Sequence, residues 1–217
     1  MISNQRYLEQ IASYVAFETT KQGFNPIHGF DHVKRVYETG FKIGKNYEID
    51  PLVLGASALL HDIHYFGTKR DNHEIKSAKK ARPFLKRIQF PVQLMSKVDH
   101  CILAHRFNSK GGIAPETWEA KIIFDSDKLD VIGAIGLARL FRYDPKKELY
   151  ELKDPFAENG RSLDDKLYVI DHIFTKALKI TDRLYTPEAK EMAKSRMNFL
   201  ELYLTQLKDE LNGKHDN

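Results

Sequence analysis

In nearly every segment between residues 5 and 212, apolar side chains recur at the i, i+3, i+4 spacing that lines one face of a helix. No stretch alternates apolar and polar residues between hairpin turn signals. A chain patterned this way buries its hydrophobic stripes helix against helix, so the expected fold class is all-α, a compact multi-helix bundle. The spacing predicts helices over about 5–21, 31–46, 51–62, 72–87, 91–106, 116–142, 162–181 and 187–212. Asp31 and Asp50 stand at helix starts as capping carboxylates, and Pro51 follows the second at the first helical position. PLVLGASALLHD, residues 51–62, is apolar almost all round and is expected at the centre of the bundle. The irregular connections at 108–112 and 143–160 do not have the composition of domain linkers, so residues 1–217 are expected to form one domain. The second connection is long enough for a lid. Phe174, Tyr185, Met192, Met197, Phe199 and Tyr203 are expected as core of the C-terminal helices.

Composition narrows the function classes. Hydrophobic residues make up 42% of the chain, enough to fill a core at this length. Cys101 is the single cysteine, which excludes a disulfide framework and a cysteine-rich zinc module. MISNQRYLEQ has no charged-then-apolar leader pattern, and no apolar run approaches the roughly 20 residues of a membrane span. A cytoplasmic protein with no membrane partner is expected. The net charge of +4 arises from 34 basic and 30 acidic residues that are interleaved along the chain. Such a balance suits an anionic small substrate and gives no basic stripe for nucleic acid.

The chemistry-bearing residues concentrate in HGFDHVKRV, 28–36, and LLHDIHYFG, 59–67. His61 and Asp62 are adjacent, so on a regular helix they point about 100° apart and reach one ion together only near a helix end. A carboxylate at the end of an apolar run costs several kcal/mol, on the order of a lost charge partner, unless something positive meets it. A metal ion satisfies that requirement. His32 offers a third ligand, and Arg35, one turn later on the same helix face, can hold a phosphate oxygen beside the ion. A further carboxylate is expected from FDSDKLDVIGAIGLAR, residues 124–139. Asp127 shares its face with the apolar stripe of Ile123, Val131 and Ala134, whereas Asp125 lines up with Lys121 and Lys128. Geometry favours Asp127 and leaves Asp125 and Asp130 open.

The ordered set His32, His61-Asp62 and Asp127 resembles the H…HD…D signature of the HD superfamily of metal-dependent phosphohydrolases. HGFDHVKRV, ALLHDI, NHEIKSA, DSDKLDVIGAIGLARLF and the late DHIFTKALKITDRLYTPEAKEMAKSRMNFL extend the likeness to its small bacterial nucleotide-hydrolysing branch across most of the chain. The resemblance implies an HD-domain bundle with the metal site between helices and the C-terminal helices, about 162–212, packed on the metal-bearing core. It assigns His32, His61, Asp62 and Asp127 as metal ligands and makes Lys128, directly after Asp127, a phosphate contact.

The implied activity is hydrolysis of a phosphate ester or anhydride of a small molecule, a nucleotide before others, by metal-activated water. The cofactor is one divalent ion, Mn, Fe, Co, Ni, Zn or Mg, with room for a second if His73, His100 and His105 contribute. His64 is the candidate proton shuttle because an unperturbed imidazole titrates near neutrality. Arg35, Lys128, His28 and His105 are the candidate substrate contacts, with Arg106 and Lys110 behind them. His172 is expected to make structural hydrogen bonds. No Gly-rich phosphate loop is present, so the phosphate grip falls to the metal, Arg35 and Lys128. The alternative is a non-catalytic regulatory module that binds metal and a phosphorylated ligand. A homodimer through exposed helix faces is compatible with either.

Overall fold

The computed structural model describes residues 3–21, 28–64, 72–106, 112–144 and 146–214. Nine α-helices are present among them: α1 (Asn4–Lys21), α2 (Phe30–Gly44), α3 (Pro51–Leu60), α4 (His73–Arg87), α5 (Val92–Ala104), α6 (Trp118–Leu129), α7 (Gly133–Tyr143), α8 (Val169–Thr175) and α9 (Pro187–Leu211). The described residues contain no strand, only an isolated parallel bridge between Glu148 and Tyr168. The fold class is all-α, as the periodicity requires. No described helix is long and apolar enough to cross a membrane. The chain divides into two compact units, Met1–Asp127 and Lys128–Asn217.

In the first unit α3 is the central helix. Nine of its ten residues are buried, and α1, α2 and α5 pack around it. The Asp50 carboxylate accepts from the N–H groups of Leu52 and Val53, and Pro51 occupies N1, as the sequence predicts. The Asp50 N–H donates to Glu119 Oε1 at 2.8 Å, tying the α3 start to α6. Asp50→Ala removes an acceptor from two first-turn donors and is expected to cost about 1 kcal/mol, a Tm drop of roughly 2–4 °C. Thermal denaturation of the variant checks this. Gly55 sits where α1 comes close, since a Cβ there would meet Leu8 Cδ2 at 2.7 Å.

Asp31 does not cap α2. The N-cap is Gly29, without a side-chain cap bond, and Asp31 lies exposed in the first turn. There its charge still favours the positive helix end.

The second unit departs from the predicted spans. The expected helix over 116–142 is broken after Leu129, and α7 begins at Gly133 with φ of +74°. A side chain at Gly136 would collide with the Val131 backbone, so this tight turn needs glycine. The expected helix over 162–181 shrinks to α8 and two 3-10 turns, Ala177–Lys179 and Thr181–Arg183. Its first part is taken apart by Asp171, which is fully buried and accepts from both Arg161 Nη1 and Nη2 at 2.7 Å and from the Asp164 N–H at 2.6 Å. Asp154 accepts from the N–H groups of Glu158 and Asn159, and its carbonyl accepts from Arg161 Nε. The segment expected as a lid is therefore held by its own hydrogen bonds.

On α9, Thr186 caps the helix by accepting from the Ala189 N–H, and Pro187 follows at N1. Tyr185 and Phe199, expected as core, are exposed at 43% and 40%. Tyr185 precedes α9, and α9 itself turns Ala189, Ala193, Leu200 and Leu204 inward rather than Phe199.

Candidate metal centre

The site is built where α3 runs out. His61 is the C-cap residue of α3 and Asp62 lies in the turn that follows, so the adjacent pair escapes the fixed angle of a helix interior. His32 comes from the first turn of α2, and Asp127 from the last turn of α6. The four lie at 1%, 0%, 3% and 8% exposure for His32, His61, Asp62 and Asp127, so polar groups with no bulk water must satisfy one another or a ligand. His32 Nε2 stands 3.2 Å from His61 Nε2, 3.5 Å from Asp127 Oδ1 and 3.9 Å from Asp62 Oδ2. His61 Nε2 is 3.7 Å from the same Asp62 oxygen. His32 Nε2 thus lies within 4 Å of an atom of each of the other three.

A second cluster meets the other oxygen of Asp62. His73, the first residue of α4, and His105, the C-cap residue of α5, place their Nε2 atoms 3.5 Å and 3.3 Å from Asp62 Oδ1. The two Nε2 atoms are 3.1 Å apart. His28 completes the cluster, its Nδ1 3.1 Å from Asp62 Oδ2. Three sets of potential ligands therefore overlap: His28, His32 and Asp62; His32, His61 and Asp127; Asp62, His73 and His105.

The donor chemistry tests whether a cation belongs there. His61 Nδ1 lies 2.8 Å from the Ala58 carbonyl and His105 Nδ1 2.5 Å from the Ile102 carbonyl, contacts a ring makes by donating N–H. The Nε2 of each ring then carries a lone pair, and these lone pairs face other nitrogen and carboxylate acceptors. Asp62 Oδ1 is buried without a hydrogen-bond partner. Such a collection of lone pairs fits a divalent cation, and mixed imidazole and carboxylate donors suit Mn, Fe, Co, Ni or Zn more than Mg. Burial pushes His61 down to about 4, with the Asp62 carboxylate pulling the other way. Burial works to raise Asp62, but the imidazoles around it, His61 first and then His105 and His28, hold it well below the usual carboxylate range. His61 and Asp62 are thus in their metal-binding protonation states at neutral pH.

The other candidates fall outside the cluster or beside it. Asp130 is paired with Arg139, which bonds its carboxylate and its carbonyl at 2.7 Å each. Asp125 is buried but belongs to none of the ligand sets. Arg35 is half-buried on α2, one turn beyond His32, and Lys128 is buried next to Asp127. His64 donates its backbone N–H to Ser77 Oγ, and its imidazole lies below its ordinary value through burial and the charges of Lys76 and Lys80. None of the ligand sets includes it. His100 accepts from the Glu116 N–H at 3.1 Å and is likewise absent from them. His172 is on α8 in the second unit. Lys110 lies outside the described residues.

His73, His105 and His28 join the cluster although the H…HD…D resemblance does not count them among the metal ligands, and His73 alone of the three was not a candidate substrate contact. The signal for it was weak but present: NHE at a helix start, with the histidine in the first turn after Asn72.

Residues 29–132 match the family model of the HD domain. The YpgQ protein of Bacillus subtilis is 28% identical over 208 residues, covering 94% of each chain. Among solved structures, YpgQ in complex with ADP aligns with a TM-score of 0.69 at 24% identity, covering 96% of this chain and 97% of that one. A protein from Lactobacillus plantarum aligns at 0.79 with 22% identity, over 98% and 100%. An HD-superfamily hydrolase from Bacillus thuringiensis aligns at 0.70 with 24% identity, over 97% and 99%.

Proposed function

We propose, from the premise that residues 29–132 make this chain a member of the HD-domain superfamily, that it hydrolyses a phosphate ester or anhydride of a nucleotide at a centre holding two divalent ions. One observation carries the reading: the Asp62 carboxylate turns Oδ2 toward His32 and His61 and Oδ1 toward His73 and His105. A carboxylate shared in this way is the natural bridge between two cations, and two imidazoles on each side supply the remaining charge-neutral donors. When bound, divalent ions polarise a phosphoryl oxygen and bring a water to an acidity at which it can attack.

The chain's own side chains do the rest. His32, His61 and Asp127 would hold one ion and His73 and His105 the other, with Asp62 offering an oxygen to each. Arg35 and Lys128 bind phosphate oxygens and offset the charge that grows in the transition state. His28 is half-buried at the edge of the cluster, so it is placed to exchange protons with solvent and to contact substrate. His64, kept neutral at pH 7, serves as the proton shuttle. Support for a nucleotide comes from the ADP held by YpgQ and from the mild positive charge of this chain.

The test is release of orthophosphate and pyrophosphate from nucleoside mono-, di- and triphosphates with Mn, Co, Ni, Zn or Mg added to chelator-stripped protein. Metal-dependent release from at least one nucleotide is expected. A metal-loaded protein that turns over none of them would overturn the reading. The two ions are tested separately: His73→Ala and His105→Ala are each expected to lower bound metal from two equivalents to one, by elemental analysis, and to reduce kcat by about 100-fold.

A further inference from the structure

Glu74 follows His73 on α4 and is buried, yet it belongs to none of the ligand sets. Its Oε2 is 3.5 Å from His73 Nδ1 and has no hydrogen-bond partner, so an unsatisfied carboxylate oxygen looks at the ring from the side opposite Asp62. Its Oε1 accepts from Arg106 Nη1 at 2.8 Å, and the same guanidinium nitrogen donates to Asn72 Oδ1 at 3.3 Å. Asn72 is the N-cap residue of α4 and holds a left-handed backbone, φ of 53°, which asparagine tolerates better than most residues. Two short segments therefore clasp each other. Residues 72–74 bring the cap, the ligand His73 and the carboxylate, while 105–106 bring the ligand His105 and the arginine.

We infer that Glu74, anchored by Arg106 and Asn72, is a positioning residue that keeps the proton of His73 on Nδ1 and so makes its Nε2 a ligand for the second ion. An imidazole bearing its proton on Nε2 would point N–H at His105 Nε2 and Asp62 Oδ1, settle there as a hydrogen-bond donor and close the position to a cation. A carboxylate at Nδ1 biases the tautomer the other way and raises the basicity of the coordinating nitrogen. Glu74 does this without becoming a ligand, because it faces Nδ1 while the acceptors converge on Nε2. His105 and His61 obtain the same tautomer from backbone carbonyls, whereas a side-chain carboxylate, Glu74 Oε2, stands 3.5 Å from His73 Nδ1. Occupancy of the second position can thus be altered by changing a residue that does not touch the ion. The inference rests on the two-ion reading above.

The experiment titrates Mn into chelator-stripped wild type, Glu74→Gln and Arg106→Gln by calorimetry, with electron paramagnetic resonance to detect a coupled Mn pair. Nitrogen-15 histidine spectra of the metal-free proteins report the His73 tautomer. Wild type is expected to bind two equivalents. Glu74→Gln is expected to bind the first as wild type does, to weaken the second by 10–100-fold, to lose the coupled signal and to show mixed His73 tautomers. Arg106→Gln, which leaves Glu74 in place but unanchored, moves in the same direction by a smaller factor and carries the test if Glu74→Gln does not fold. Two tight equivalents and an unchanged tautomer in the variants would overturn the inference and leave the two-ion reading standing. A single equivalent in wild type would overturn both.

Discussion

Asp62→Ala is expected to leave a folded protein that binds neither ion and has lost nucleotide hydrolysis by a factor of at least about 1,000, near 4 kcal/mol of transition-state stabilisation. The size follows from position. Every other candidate ligand serves one side of the cluster, but the two oxygens of Asp62 reach both. Removing it leaves His73 and His105 with no carboxylate and His32 and His61 with Asp127 alone, and so little opposing charge holds a dication poorly. The fold should tolerate the change better than the site. Asp62 Oδ1 makes no hydrogen bond, and burying a carboxylate is itself costly, so the metal-free variant is expected to melt within a few degrees of metal-free wild type. Metal content, kcat/KM and Tm on the same preparations separate the two effects. Retained activity at full metal content would remove Asp62 from the centre, and a collapsed Tm in the metal-free state would make it a structural residue.

How much of this could be read in advance depends on whether the deciding contact is local. The end of α3 was legible because PLVLGASALL is apolar on every side and His61-Asp62 interrupts it, so a buried pair at a helix terminus follows from burial alone. The apolar face that favoured Asp127 over Asp125 and Asp130 does not continue in the fold, because α6 ends at Leu129 and Val131 is exposed; what separates the carboxylates is the 3.5 Å approach of Asp127 Oδ1 to His32 Nε2 and the pairing of Asp130 with Arg139. His73 was harder to choose. A histidine in the first turn of a polar helix has the same local appearance whether it faces solvent or a cluster, and what settles it is proximity to Asp62 and His105, residues far off along the chain. Glu74 is the same case one step further out, since its meaning depends on Arg106. The failed span at 162–181 has the opposite cause. Its spacing is helical, but Asp171 accepts three hydrogen bonds from Arg161 and Asp164, and this arrangement prevails over a modest local preference.

Stripping the metal is expected to expose an acid weakness in the first unit that metal-loaded protein masks. At pH 7.5, ions present at about 1,000 times their Kd contribute roughly 4 kcal/mol each, so chelation of both should lower the Tm by roughly 15–30 °C. Acidification then acts on the stripped protein through His61. Its folded value of about 4 lies below its ordinary 6.5, so the unfolded chain takes up the proton first. Stability from the neutral, buried imidazole is therefore fully present above pH 6.5 and is lost as the pH falls toward 4, by up to roughly 3 kcal/mol. The half-buried His64 shifts in the same direction and adds to the slope. Asp62 acts in a lower window: its folded value lies below 3.8, so its contribution is present above 3.8 and disappears only beneath it. Between pH 7 and 5 the histidines alone should set the trend. Urea unfolding of chelated wild type at half-unit steps across that range is expected to show a falling midpoint, and His61→Gln a flatter line. The variant keeps a polar side chain but removes the titrating ring, so a slope unchanged by it would assign the acid sensitivity elsewhere. A flat wild-type profile would mean that the buried imidazole is not held neutral by the fold, and the lone pair that His61 offers to a cation would lose its physical basis.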